Sequence, residues 1–371
     1  MNFVSFLTSH YESVIIAPVM SKVRLPDYFT ILKKGRISLY IHKKYEVQLT
    51  EQDLDILFDL YRDVKAGSSS IQPEATSKGV LHDQYAGRAE AGVSYHGRTP
   101  CRSIFLKSLN NGSFVVRDYW HGGLFGKILR DVFWHGLRPI QELVICESAS
   151  KKGIQTIEII AIIKNRFLGP FYKSKLISRE IRNSTDLMEL LLRYDKNTFY
   201  AQKRDIISRV AHAIKEMHDA GIYHADLNLK NILLQTAGRD KSVAYIIDLD
   251  KSKQFNELKP RSRMKNLMRL DRSWEKFRRN SSKKNRSHVS CTGYITNGDK
   301  IRFMREYLSS GRRFMPAVAA RSNEEKSVRH EVGTGSFRNQ EEWLKTFLKY
   351  YVSSYKTHRF LWWLADLYGK K

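Results

Sequence analysis

His224, Asp226 and Asn231, in Ile222-Tyr223-His224-Ala225-Asp226-Leu227-Asn228-Leu229-Lys230-Asn231, have the types and spacing for phosphoryl transfer. Asp248, in Tyr245-Ile246-Ile247-Asp248-Leu249-Asp250, supplies a second acid. In such chemistry one carboxylate sits beside the attacking hydroxyl, while another carboxylate and an amide oxygen hold Mg²⁺ against the phosphates of ATP. A His-x-Asp with Asn five positions beyond the Asp matches the first set. An isolated Asp in His-Ala-Asp is ordinarily a helix cap or a solvated turn; it is the joint occurrence of Asp226, Asn231 and Asp248 that points to catalysis. His224 is expected to hold the loop through hydrogen bonds rather than to carry a proton.

The surrounding pattern predicts the elements that must place these groups. Val243 to Ile247 reads as a buried strand ending at Asp248, and Ile206, Ile207, Val210, Ile214 and Met217 form an apolar stripe on a long helix that stops at Gly221, just before the loop. Ser184 or Thr185 is expected to cap a preceding helix through Leu192. Upstream, Ser103 to Lys107 and Ser113 to Arg117 flank Asn110-Asn111-Gly112 and predict a hairpin. Ile154 to Ile163 and Phe171 to Ile181, joined through Leu168-Gly169-Pro170, predict two more strands, with a helix around Arg138 to Cys146 between the pairs. The expected fold class is α+β and bilobal, with a strand-rich N-lobe, a connector near Glu180 and Ile181, a helical C-lobe, and ATP in the cleft between them. The expected divisions are an N-terminal extension over 1–80 with a linker at Gly67 to Ser70, an N-lobe over 81–182, a C-lobe core over 183–278, and a basic helical extension over 279–371.

A chain of 371 residues that is 42% hydrophobic can bury a full core. Sixty-four Lys and Arg against 38 Asp and Glu give a net charge of +26, a field suited to an anionic partner. Three widely spaced cysteines (Cys101, Cys146, Cys291) suggest neither a disulfide framework nor a zinc site, which fits a reducing cytosol. Met1 to Met20 lacks the pattern of a signal peptide, and no apolar run approaches the roughly 18 residues needed to span a bilayer.

Over about residues 85–278 the motifs resemble the bacterial 3-deoxy-D-manno-octulosonic acid (Kdo) kinases and related lipopolysaccharide core kinases, which have the protein-kinase-like fold. The most specific pieces are His-Ala-Asp-Leu-Asn-x-x-Asn-Ile-Leu-Leu at 224–234, Ile-Asp-Leu-Asp at 247–250, Arg-x-Tyr-x-x-Gly-Gly at 117–123 and Asn-Leu-x-Arg-Leu-x-Arg-Ser at 266–273. The resemblance implies phosphate transfer from ATP to a Kdo hydroxyl on a lipid A precursor, by a peripheral enzyme at the cytoplasmic face of the inner membrane. It implies that Asp226 is the catalytic base, that Asn231 and Asp248 are Mg²⁺ ligands, and that Glu142 pairs with Arg117 at the nucleotide. Arg117 stands where protein kinases place lysine, and its planar fork is not equivalent to a point charge. Asn228 likewise replaces a lysine, Asp248-Leu249-Asp250 replaces Asp-Phe-Gly, and no activation segment follows. In place of a clear glycine-rich loop there is only Gly87-Arg88-Ala89-Glu90-Ala91-Gly92; Gly122 and Gly123 are either a turn or a phosphate contact.

Between Lys259 and Arg286 twelve Lys or Arg face two acids, Asp271 and Glu275, amid Leu, Met, Trp and Phe. This is either a solvated helix face or a surface for anionic lipid. Tyr350 to Leu364 is suited either to a membrane interface or to a packed helix. The expected partners are an anionic glycolipid and a membrane surface, and no nucleic-acid module is recognisable. Gly333-Thr334-Gly335-Ser336 reads as a turn. A heptose or small-molecule acceptor, of the aminoglycoside or choline type, and a non-catalytic membrane-associated pseudokinase remain the alternatives.

Overall fold

The computed structural model describes residues 12–13, 25–61, 94–95, 101–109, 112–121, 131–134, 137–193, 196–236, 242–284, 295–309, 345 and 349. The chain divides into two compact units, Met1–Ser184 with Tyr245–Ser252, and Thr185–Ala244 with Lys253–Lys371. The stretches Gly67 to Ser70, Gly87 to Gly92, Asn110-Asn111, Gly122-Gly123, Gly333 to Ser336 and Tyr350 to Leu364, together with Cys291 and most of Met1 to Met20, lie outside the described residues.

The first unit is built on an antiparallel sheet. Its strands are β1 (Glu12–Ser13), β2 (Phe29–Lys34), β3 (Ile37–His42), β4 (Ser94–Tyr95), β5 (Cys101–Leu106), β6 (Gly112–Asp118), β7 (Phe133–Trp134), β8 (Ile159–Leu168) and β9 (Phe171–Arg179). They run in the order β1-β2-β3-β8-β9-β6-β5-β4, with β7 on β9. Leu106 pairs with Gly112 to close the β5–β6 hairpin, and Gly112 is needed there because a Cβ would press on the Leu109 carbonyl and the Phe114 ring. Leu168 pairs with Phe171 across Gly169 and Pro170, Gly169 taking a left-handed φ of 51°. The segment Ile154 to Glu158 is irregular, so β8 begins later than its apolar run suggests and continues to Leu168.

Cross-strand register separates two faces. Val116, Ile177, Ala161 and Ile41 are successive partners, and so are Arg117, Leu176, Ile162 and Tyr40. The Val116 face is sealed by a helix, α2 (Glu51–Asp59), which follows a short helix, α1 (Lys43–Glu46). Thr50 and Asp53 form a reciprocal capping box for α2, and Leu54, Leu57 and Phe58, at i, i+3 and i+4, turn one stripe into the core. Each such side chain contributes about 1.5–3 kcal/mol by leaving water. Thus, within the stretch read as an N-terminal extension, β2, β3 and α2 are part of the sheet and its core. Near the other face, α3 (Arg138–Lys151) starts with Pro139 in its first turn and buries Ile140, Glu142, Leu143 and Cys146.

The second unit is mainly helical. It contains α4 (Leu187–Arg193), α5 (Lys196–Asp219), α6 (Pro260–Lys284) and α7 (Asn297–Leu308). With them go β11 (Ile222–Tyr223), β12 (Ile232–Thr236), β14 (Lys253–Gln254) and most of β10 (Ser184–Asp186) and β13 (Ser242–Ile246), in sheets ordered β10-β12-β13 and β11-β14. The helix expected to be capped by Ser184 or Thr185 is capped instead by Asp186, whose Oδ1 accepts the Glu189 N–H at 2.8 Å, while Ser184 and Thr185 are in a strand. The predicted stripe on α5 is buried throughout, from Ile206 to Met217. Gly221 has a φ of 80°, and a Cβ there would strike the carbonyl of Phe255, the residue directly after the strand that pairs with β11. The end of α5 and the start of the loop are therefore held by a backbone approach that only glycine permits.

Among the described residues no helix is long and apolar enough to cross a membrane. Cys101 and Cys146 are free thiols, and burial pushes the Cys146 thiol well above its ordinary range.

Candidate active site

The loop after β11 is fastened at both ends by α6. The Asn266 side chain accepts the His224 N–H at 2.9 Å and donates to the His224 carbonyl at 2.7 Å, so it pairs with that residue's main chain on both sides. Seven positions along the same helix face, Ser273 Oγ accepts the Leu229 N–H at 3.2 Å. Asn266 is fully buried and also accepts from His218 Nε2 at 3.2 Å, while His218 Nδ1 takes the Tyr307 hydroxyl of α7 at 2.8 Å. Burial is the main reason the His218 ring is driven down to about 3, opposed by its bond to Asn266. A neutral ring with its proton on Nε2 satisfies both contacts.

Inside that bracket the loop organises itself. His224 Nδ1 accepts the Asp226 N–H at 3.0 Å, from a ring that is itself buried. Asn231 Nδ2 donates to the Asp226 carbonyl at 2.8 Å, which turns its Oδ1 to the opposite side of the amide. Asn228, where a lysine stood in the motif comparison, donates to the same carbonyl at 3.0 Å and caps the turn Leu229–Asn231 by accepting the Lys230 N–H. The N–H and the carbonyl of Asp226 are thus both bonded, while its carboxylate is 64% exposed.

Arg117, Glu142 and Asp248 come together in the first unit. Arg117, on β6, donates through Nη2 to both Glu142 oxygens and through Nη1 to Asp248 Oδ1. The Tyr119 hydroxyl donates to Glu142 Oε2 at 2.6 Å, and the Arg117 guanidinium stacks 5.2 Å over the Tyr119 ring. Burial alone would lower Arg117, but the carboxylates of Glu142 and Asp248 hold it well above its ordinary range. Burial raises Glu142, against the pull of Arg117. Asp248 has a φ of 61°, a left-handed conformation uncommon for a residue with a Cβ.

A second pair, which sequence patterns did not single out, fastens the same turn. Arg138 at the start of α3 donates from Nε to Asp250 Oδ1 at 2.6 Å and from Nη2 to Oδ2, a two-pronged bond across 112 positions. The Arg138 guanidinium stacks over Tyr119 and Phe133 at 5.5 and 5.0 Å. Asp250 therefore ties the Asp248 turn to α3. Asn266 and Ser273 lie seven positions apart on one helix face, and Tyr119 follows Arg117 by two residues, just past the end of β6.

The basic stretch from Lys259 folds almost wholly into α6, and its two acids are occupied. Asp271 and Glu275 bind Lys300 at 2.7 and 3.0 Å, and Glu275 also binds Arg278 at 2.8 Å. Arg261, Lys265 and Lys276 remain exposed.

The model of the lipopolysaccharide kinase (Kdo/WaaP) family matches residues 96–307, more than half of the chain. The chain belongs to the Kdo/WaaP lipopolysaccharide kinase family. The matched range holds Arg117, Glu142, Asp226, Asn231, Asp248 and Asn266, and starts after β4, so β1–β3 and α2 lie outside it. The 3-deoxy-D-manno-octulosonic acid kinase of Vibrio cholerae serotype O1 is 31% identical over 166 residues, 44% of this chain and 65% of that protein. The protein of the same name from Vibrio parahaemolyticus serotype O3:K6 is 32% identical over 180 residues, 47% of this chain and 69% of its own. That of Haemophilus influenzae strain 86-028NP is 30% identical over 168 residues, 44% of this chain and 66% of its own. The chain thus spans about two thirds of the length of these Kdo/WaaP relatives. A solved structure, WaaP in complex with acyl carrier protein, aligns at 20% identity with a TM-score of 0.38, covering 58% of this chain and 78% of that one.

Proposed function

We propose that this Kdo/WaaP family member transfers the γ-phosphoryl group of ATP to a sugar hydroxyl of Kdo on a lipid A precursor, as a peripheral enzyme at the cytoplasmic face of the bacterial inner membrane. The observation that carries the proposal is the pinned loop His224 to Asn231, which exposes the Asp226 carboxylate while that residue's own N–H and carbonyl are bonded. Asp226 orients the acceptor hydroxyl and takes its proton late, as the oxygen bonds to the γ-phosphorus and the bond to ADP breaks. Asn231 Oδ1 and the Asp248 carboxylate would hold Mg²⁺. Among the described residues no group of three or more His, Cys, Asp and Glu forms a metal cage, and two oxygen donors suit a hard cation that takes its other ligands from water and phosphate. Bound there, Mg²⁺ would neutralise charge on the phosphates. Arg117 would exchange its bond to Asp248 for one to a phosphate oxygen while keeping Glu142.

Mass spectrometry of a Kdo-bearing lipid A precursor incubated with protein, Mg²⁺ and ATP tests the proposal, with a gain of one phosphate on the Kdo unit expected. Asp226→Ala should lower turnover by about 10²–10⁴-fold; near wild-type turnover would remove Asp226 from the mechanism. Phosphate found on heptose or on a soluble sugar instead would reassign the acceptor.

The bond from Arg117 to Asp248 favours one other reading, a binding module that performs no transfer, because it occupies a supposed metal ligand. Mg²⁺-ATP at 100 times its Kd should stabilise a nucleotide-binding protein by about 2.7 kcal/mol. Stabilisation by ATP without product on any acceptor would select the module.

A further inference from the structure

Helix α6 presents a third residue to the loop between its two fastenings. Asn266 holds His224 and Ser273 holds Leu229, so the residue one turn after Asn266 faces Asp226. That residue is Arg269, whose Nη1 stands 3.9 Å from Asp226 Oδ1. This is an ion-pair distance, longer than a hydrogen bond. The two side chains are 39% and 64% exposed, so an acceptor can reach both. Arg272 lies three positions on, on the same side of the helix and near Tyr223 of β11; burial and then the like charge of Arg269 lower its pKa. Two cations that repel each other gain from an anion placed between them, and the first of the two stands beside Asp226.

We propose that Arg269 and Arg272 form the acceptor's anion subsite, gripping a carboxylate or phosphate that the sugar carries near its attacking hydroxyl. The proposal rests on the kinase reading above for the role of Asp226, and it names what that reading leaves open, how the acceptor is held. A guanidinium binds a planar carboxylate through two parallel bonds, which fixes orientation as well as affinity. The hydroxyl would then be delivered to Asp226 by a contact that neutral sugars lack.

Binding is measured by calorimetry on the full chain, without turnover, using free Kdo, its methyl ester, and a sugar phosphate that has no carboxylate. Arg269→Gln should weaken binding of free Kdo by about tenfold or more, leave the ester nearly unaffected, and Arg272→Gln should act in the same direction. Arg269→Lys, which keeps the charge without the fork, should fall between. Dependence on Arg269 that follows the sugar phosphate and not free Kdo assigns the subsite to phosphate. Equal binding of all three probes by the wild type, or equal losses for acid, ester and phosphate in the variants, overturns the proposal. Arg269-dependent binding of Kdo without any phosphorylated product refutes the kinase reading and keeps the subsite. Equal phosphorylation of acid and ester by wild type and variants does the reverse.

Discussion

Asn266 and His224 are 42 positions apart, yet the amide side chain of the first takes both main-chain groups of the second, as a neighbouring strand would. The exposed carboxylate two residues later inherits its position from that contact. Asn266→Ala removes the amide bonds to the buried N–H and C=O of His224, and each group left unsatisfied costs about 1–3 kcal/mol. We expect denaturant unfolding to show a loss of about 2–4 kcal/mol, with a fall in turnover. Asn266→Asp, which keeps the acceptor and loses the donor, should lie between. A loss under about 0.5 kcal/mol for the alanine variant would contradict the bracket.

Removing Arg117 strands a buried carboxylate. Arg117→Met should cost about 3–5 kcal/mol, because Glu142 is fully buried and loses its cation. The sign of the pH effect follows from Glu142, which burial already raises and Arg117 holds back. Without Arg117 it rises further, so the variant's stability is greatest at acid pH and falls as pH climbs through the raised value. The deficit should therefore be smaller at pH 5 than at pH 8, and Arg117→Met combined with Glu142→Gln should recover most of it. A deficit independent of pH would show that Glu142 is not the stranded charge.

His218 links stability to acid. Its folded value of about 3 lies below the ordinary 6.5, so the folded state resists its protonation. Its contribution is complete above pH 6.5 and is lost as pH falls toward 3, at up to about 1.4 kcal/mol per unit. Between pH 6.5 and 5 this one group should remove about 2 kcal/mol. His218→Gln should flatten that part of the curve in urea titrations; an unchanged slope would mean that the ring titrates normally.

Gly221→Ala tests the backbone approach before the loop. A left-handed alanine costs about 1–2 kcal/mol, and the collision with the Phe255 carbonyl adds to it. Thermal unfolding at a lower temperature, with reduced turnover, is expected; an alanine variant as stable as the wild type would rule out the close approach.

Much of the site was legible locally. The triplet and its asparagine, the apolar stripe on α5 and the glycine turns of the hairpins are short-range patterns, because φ/ψ preference and the period of buried side chains are set within a few residues. The pairing of Arg117 with Glu142 came from family resemblance, since nothing within either segment specifies the other. The cap of α4 was misplaced by one or two residues because Ser, Thr and Asp all suit that role, and the strand runs on through Ser184 and Thr185 to Asp186, which takes it.

By itself the sequence determined the chemistry on offer: an acid and an amide on one loop, a second acid after a strand, and an excess of cations around them. Tertiary structure alone decided which groups those residues meet. Arg138 finds Asp250 across 112 positions, β3 joins β8, and Asn266 and Arg269 reach the loop from a helix. Such pairings depend on which faces are buried together, and burial is a property of the whole packed chain rather than of any window along it.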